Sequence, residues 1–169
     1  MTIETCAMVD GEVVTVRPMR LADAELEANF IRRLSPQTKH YRFFGGVNEL
    51  PPAEVLRLCN VDGRTTMAFV ATVRRDGRET EIGVSRYAPS SHADVREIAV
   101  TVADEWQHKG LGTMLMKQLI DYAQSHGVKQ LYSIELSDNE SMRALAKDLH
   151  MSAHGDPDDP HQAIYSLTL

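Results

Sequence analysis

The chain has 169 residues, 43% hydrophobic and 25% charged, and 24 acidic side chains against 18 Lys and Arg leave a formal charge of −6. That composition excludes a disordered or collagen-like chain, and the acidic balance argues against a nucleic-acid binder. Cys6 and Cys59 form no CxxC pair and no zinc spacing, and no leader or long apolar run is visible, so a cytoplasmic protein without membrane span or metal is expected. This length predicts one domain over 1–169, with a core that needs no disulfide.

In chain order, β-branched Val13 to Val16 predict a strand that stops at Arg17-Pro18. Leu21, Ala24, Ala28 and Ile31 then recur at helical spacing. Ser35-Pro36 has the form of an N-cap with proline at the first helical position, predicting a short helix to Phe44, and Pro51-Pro52 opens a third that ends near Asp62-Gly63. Thr66 to Val73 and Thr80 to Tyr87 read as a hairpin, Val95 to Val102 as a central strand, and Gly110 to His126 as a long amphipathic helix closed by Gly127. Val128 to Leu136 is a strand, a helix follows from Ser137-Asp138 through Leu149, and Ile164 to Leu169 is the last strand. The order β, helices, β-β-β, α, β, α, β predicts an α/β sandwich around a mixed, mostly antiparallel sheet.

The stretch Gln107-His108-Lys109-Gly110-Leu111-Gly112 lies between the central strand and the long helix. Two glycines two apart let consecutive N–H groups converge at the positive end of a helix dipole, an arrangement suited to a pyrophosphate. It lacks the Lys-Ser or Lys-Thr of a Walker A loop and the third glycine of a dinucleotide fingerprint. Taken alone, it is equally a tight strand-to-helix turn.

The run from Val100 to Met116 resembles motif A of the GNAT superfamily of N-acetyltransferases, and Arg17-Pro18, the Ile82 to Tyr87 strand and Asn139 resemble that superfamily too. Leu34-Ser35-Pro36, Tyr41-Arg42-Phe43-Phe44 and Val61-Asp62 before Met67-Ala68 further resemble the acetyltransferase domain of bacterial Pat-type protein-lysine acetyltransferases. The resemblance implies a GNAT-like sandwich in which the backbone of Val100, Thr101 and Val102 pairs with pantetheine. It places the coenzyme A pyrophosphate on Gln107, His108, Lys109, Gly110, Leu111, Gly112 and Thr113. Asn139 would touch the coenzyme from the opposite side, two strands splaying near Val102 would open the slot, and a strand bulge is one way to open it.

An attacking amine must be neutral, whereas a lysine has a reference pKa near about 10.4, so a base or a water chain is required. The family pattern puts a glutamate at Glu97, acting directly or through water; partial burial would tune it, and its rival reading is an ion pair with Arg96 or Arg86. Glu81 and Glu135 stand in reserve. The resemblance also implies a tyrosine that protonates the leaving thiolate, but Ala146 occupies that position. Ser141 could donate instead, or be only a polar first-turn residue, and His150-Met151 replaces the usual Gly-Phe. Asp156, Asp158, Asp159 and His161 sit among prolines and read as a solvated hairpin loop, so no metal is expected.

Together these features predict direct transfer of an acetyl group from acetyl-CoA to a primary amine, with a protein lysine as acceptor. A small-molecule amine and a non-catalytic acyl-CoA-binding sensor are the alternatives, and oligomeric state is not readable. The helices from Ser35 to Cys59 and the Gly155 to His161 loop are expected to wall the acceptor mouth.

Overall fold

A computed structural model describes residues 3–169. Eight strands form one sheet in the order β1-β2-β3-β4-β5-β6-β8-β7. They are β1 (Thr5–Val9), β2 (Glu12–Pro18), β3 (Met67–Arg75), β4 (Arg78–Pro89), β5 (Val95–Val102), β6 (Gln130–Leu136), β7 (Ser152–Gly155) and β8 (Gln162–Thr168). Neighbours are antiparallel except β5 and β6, which run parallel and are joined by a helical crossover. The α/β sheet architecture expected from the sequence is thus present.

Five helices flank the sheet: α1 (Ala24–Arg33), α2 (Pro36–Phe43), α3 (Pro52–Cys59), α4 (Leu111–Ser125) and α5 (Glu140–Asp148). Consecutive β4 side chains show which face each covers. Arg86 donates to Glu27 of α1 and to the Leu58 carbonyl of α3, whereas Ser85 donates to the Leu115 carbonyl of α4. Adjacent strand residues point to opposite faces, so α1 and α3 lie on one side and α4 on the other. Within α4, Leu111, Leu115, Met116, Leu119 and Ala123 are buried; full burial of each Leu or Met stabilises by about 1.5–3 kcal/mol. Arg17, itself buried, forks onto Asp23 ahead of α1 with two 2.8 Å bonds and also reaches Glu79 of β4, which locks β2 to α1.

The structure corrects several expectations. The edge strands β1 and β7 were not expected. The chain turns from β1 into β2 through Asp10 and Gly11, both with positive φ, which matches a hairpin turn of the I′ kind. Helix α3 stops at Cys59, because Asp62 accepts the amides of Arg64, Thr65 and Thr66 and winds the next residues into a turn. Helix α5 starts at Glu140 instead of near Ser137, with Asn139 as its cap. Among the described pairings, the one register shift lies between β3 and β4 at Ala71/Thr72, not in β5.

Candidate active site

Strands β5 and β6 pair at Val95–Gln130, Arg96–Leu131 and Glu97–Tyr132, and there the pairing ends. Both strands continue: β5 stays on β4 as far as Val102, and β6 stays on β8 as far as Leu136. Beyond Glu97 they therefore diverge into a fork, opened by separation of the strands and not by a bulge. The Ala103 amide donates to the Ile82 carbonyl at 2.8 Å. Strand alternation then turns the backbone groups of Ala99 and Thr101 toward β4 and those of Val100 and Val102 into the fork. The Val102 carbonyl accepts from Gln107 Nε2 at 3.0 Å, while the Val100 N–H and C=O face the gap.

The fork continues into a cleft of about 1120 Å³ walled by α2, β5, β6, α5 and the turn before α4. In that turn His108 and Gly110 have φ of 60° and 84°, and the first α4 backbone bond runs from the Met114 amide to the Gly110 carbonyl. The amides of Leu111, Gly112 and Thr113 consequently have no acceptor among the described residues, the usual state of a helix start. Only Gly110 reaches its left-handed backbone without strain. A side chain on Gly112 would begin 3.7 Å from Val102 and 3.8 Å from Leu145, so glycine keeps the cleft floor low. The open amides and the unpaired strand edge fit the pyrophosphate and pantetheine of an acyl-CoA.

Of the candidate residues, Glu97, Val100, Thr101, Val102, Gln107, His108, Gly110, Gly112, Thr113, Asn139 and Ser141 all line this cleft. Lys109 and Leu111 do not line it. Lys109 turns away to Asp10, at 2.5 Å, and over the Trp106 ring, and Leu111 is 1% exposed in the core. Asn139 is nearly buried, and its Oδ1 accepts the Met142 amide at 3.1 Å, so it starts α5. Ala146, in place of the tyrosine, is buried and offers no donor. His150 has φ of 56°, with the Met151 amide returning to the Ala146 carbonyl; this left-handed cap is where a glycine is the usual occupant.

Among the described residues, the fork's end carries Glu97 and Glu135 with one cation, Arg42. Glu97 is exposed and not partly buried as expected, and Tyr132 beside it has its phenol pushed up by burial and by Glu97. Glu135 is less exposed; burial raises its carboxyl, against the pull of its bond from Ser133 and of the charge of Arg42. Glu81 does not line the cleft. It is 1% exposed beside Glu27 on the α1 face of the sheet, and burial holds it well above the ordinary carboxylate range.

Sequence reasoning placed the Ser35 to Cys59 helices at the acceptor mouth but singled out none of Thr38, Tyr41 and Arg42 as cleft residues, nor Asp104 or Ser133. Asp104 accepts from the Ser35 amide at 2.8 Å, from Ser35 Oγ at 2.6 Å and from Thr38 Oγ1 at 2.8 Å, while Gln107 Nε2 donates to Thr38. The wall formed by α2 is thereby tied to the turn that precedes α4. The helical spacing of Thr38 and Arg42 carried the signal, but their partners are distant in sequence. Neither α3 nor the loop between β7 and β8 lines the cleft, so the expected acceptor walls reduce to α2.

A forked sheet with open helix-start amides below the fork is an arrangement that suits an acyl-CoA-dependent acyltransferase. The chain belongs to the GNAT acetyltransferase family, since the model of the "Acetyltransferase (GNAT) domain" matches residues 14–152. It is 44% identical over 160 residues to acetyltransferase PA5475 of Pseudomonas aeruginosa, covering 95% of this chain and 86% of that one. It is 32% identical over 136 residues to acetyltransferase Pat of Mycolicibacterium smegmatis, covering 80% of this chain and 40% of the longer protein. The crystal structure of the GNAT domain of S. lividans PAT superposes with a TM-score of 0.88 at 24% identity, over 99% of this chain and 97% of that one. The enzyme class is acetyltransferase, with an acyl-CoA co-substrate and an amine acceptor. Among the described residues no helix is long and apolar enough to cross a membrane.

Proposed function

We propose that this chain, as one domain over 1–169 acting in the cytoplasm, transfers acetyl from acetyl-CoA to the ε-amine of a protein lysine. The observation that carries the reading is the fork itself: an unpaired β5 edge running from Glu97 to the open amides of Leu111 to Thr113. Pantetheine would lie along Val100 to Val102 and the pyrophosphate on those amides, with Gln107 and Gly110 shaping the turn.

The amine nitrogen attacks the thioester carbonyl carbon, an N–C bond forms, and the C–S bond breaks with its electron pair leaving on sulfur. Glu97, at the end of the paired region, accepts the proton from nitrogen directly or through water. The fork-facing strand amides near Ile98 and Val100 polarise the carbonyl, and positioning of the two substrates supplies much of the rate. The thiolate receives its proton from water, and Ser141, which lines the cleft from the first turn of α5, donates a hydrogen bond to it.

The likeness to Pat supports a protein acceptor. A thiol-release assay with acetyl-CoA against a panel of folded proteins and small amines tests the reading, and faster turnover of a protein lysine is expected. Far faster turnover of small amines would replace the acceptor. CoA binding without turnover of any amine would leave a binding module.

A further inference from the structure

We infer that Arg42 forms a carboxylate-binding subsite at the acyl end of the cleft, and that the preferred acceptor carries a carboxylate close to its reacting amine. The inference rests on the acetyltransferase reading and names the acceptor's chemical class.

Arg42 lies on the face of α2 that lines the cleft, four residues after Thr38 and next to Tyr41. The helix holding it is fixed at both ends. Asp104 binds its N-cap, Lys39 Nζ donates to the Arg32 and Asn48 carbonyls, and Tyr41 Oη donates across the cleft to the Asp138 carbonyl.

The other buried guanidiniums of this region are satisfied by carboxylates, Arg17 by Asp23 and Glu79 and Arg86 by Glu27. Arg42 is only partly exposed, yet among the described residues it makes no ion pair and no hydrogen bond. Its guanidinium lies over the Phe43 ring at 5.0 Å. Burial, with the like charge of Arg86, pushes it down to about 10 against the charges of Glu27, Glu135 and Glu97, so it still carries its charge at neutral pH. A half-desolvated planar cation facing an open cleft is completed by a bidentate anion, and carboxylate matches its fork.

Glu97 and Glu135 line the same end of the cleft from β5 and β6. Two carboxylates and one guanidinium around a single opening complement an ammonium and a carboxylate on one molecule. That description fits a free amino acid, and equally a lysine beside an acidic residue in a peptide.

The test measures kcat/KM with acetyl-CoA for three pairs: an amino acid and its carboxamide, a lysine peptide flanked by Glu or by Gln, and succinyl-CoA against acetyl-CoA on one amine. Each pair is run on the full chain and on Arg42→Gln and Arg42→Lys. Calorimetry of the amino acid and its carboxamide in the presence of CoA runs alongside. The parent should favour the carboxylate acceptor by about 10- to 100-fold, the range of one charge-assisted bidentate pair. That ratio should collapse toward one in Arg42→Gln and survive in part in Arg42→Lys. Preference in the first pair assigns a free amino acid, and in the second a flanking side chain. A ratio that Arg42→Gln leaves unchanged overturns the subsite, as does an Arg42-dependent preference confined to the donor pair. Turnover without carboxylate preference removes the subsite and leaves the transferase. Arg42-dependent binding of the carboxylate without turnover keeps the subsite and removes the transferase.

Discussion

Replacing Gly110 separates the backbone requirement of the cleft from its charge requirement. Gly110 has φ of 84°, and an added Cβ would meet nothing within 4 Å. Gly110→Ala therefore introduces no clash, only the cost of a left-handed alanine, about 1–2 kcal/mol. If the turn keeps its shape, the loss appears as a melting temperature lower by roughly 2–8 °C for a chain of this size. If it relaxes, CoA must restore the shape, and affinity falls by a factor of about 5–30. Gly110→Asp adds a negative charge within several ångströms of the proposed pyrophosphate, worth about 1–3 kcal/mol per phosphate charge between aqueous and near-surface screening. Its additional loss should shrink as salt rises, whereas the alanine loss should not. Calorimetry of CoA binding at low and high salt, with thermal melts of both variants, reads these quantities. A folded Gly110→Asp that binds CoA as the parent does would refute the placement of the pyrophosphate.

Glu97→Gln should lower turnover by about a hundredfold or more with acetyl-CoA affinity nearly intact and partial recovery at high pH; a pH–rate profile identical to the parent's would move the base to Glu135 or a water chain. Glu81 and Glu27 have carboxylate oxygens with no donor among the described residues, so a proton on Glu81 completes their contact. Because the folded state holds that proton more tightly than the unfolded chain, stability is full below about pH 4.3 and falls as pH rises toward Glu81's raised folded value. Glu81→Gln supplies a permanent donor to Glu27, and urea denaturation across pH should show a flatter profile and a gain over the parent at pH 8; parallel profiles would show that Glu81 does not titrate there. His150→Gly should stabilise by about 1 kcal/mol by relieving the left-handed cap, and an unchanged or lower melting temperature would count against that origin.

The parts legible in the sequence are those whose pattern repeats along the chain. Helix α4 shows its buried stripe from Leu111 to Ala123, and the glycine turn ahead of it shows its two glycines, so that end of the cleft could be read residue by residue. Strand β1 hid because most of Thr5–Val9 is exposed at a sheet edge, leaving no alternation, although Asp10-Gly11 was an available hairpin signal. Strand β7 is exposed throughout and has no period at all. The fork is a matter of pairing between strands 35 residues apart and leaves no local mark. Arg42 and Asp104 were hidden for the same reason: the partners that define them, or in the case of Arg42 their absence, are set by packing between distant segments.

The central claim is that the β5–β6 fork and the amides beyond it hold an acyl-CoA for attack by an amine. The most direct measurement is a crystal structure of the chain with CoA. The account predicts pantetheine paired with the Val100 backbone, the pyrophosphate on the amides of Leu111 to Thr113, and the sulfur near Glu97. CoA bound elsewhere, or in the cleft with its sulfur pointing away from Glu97, would contradict it.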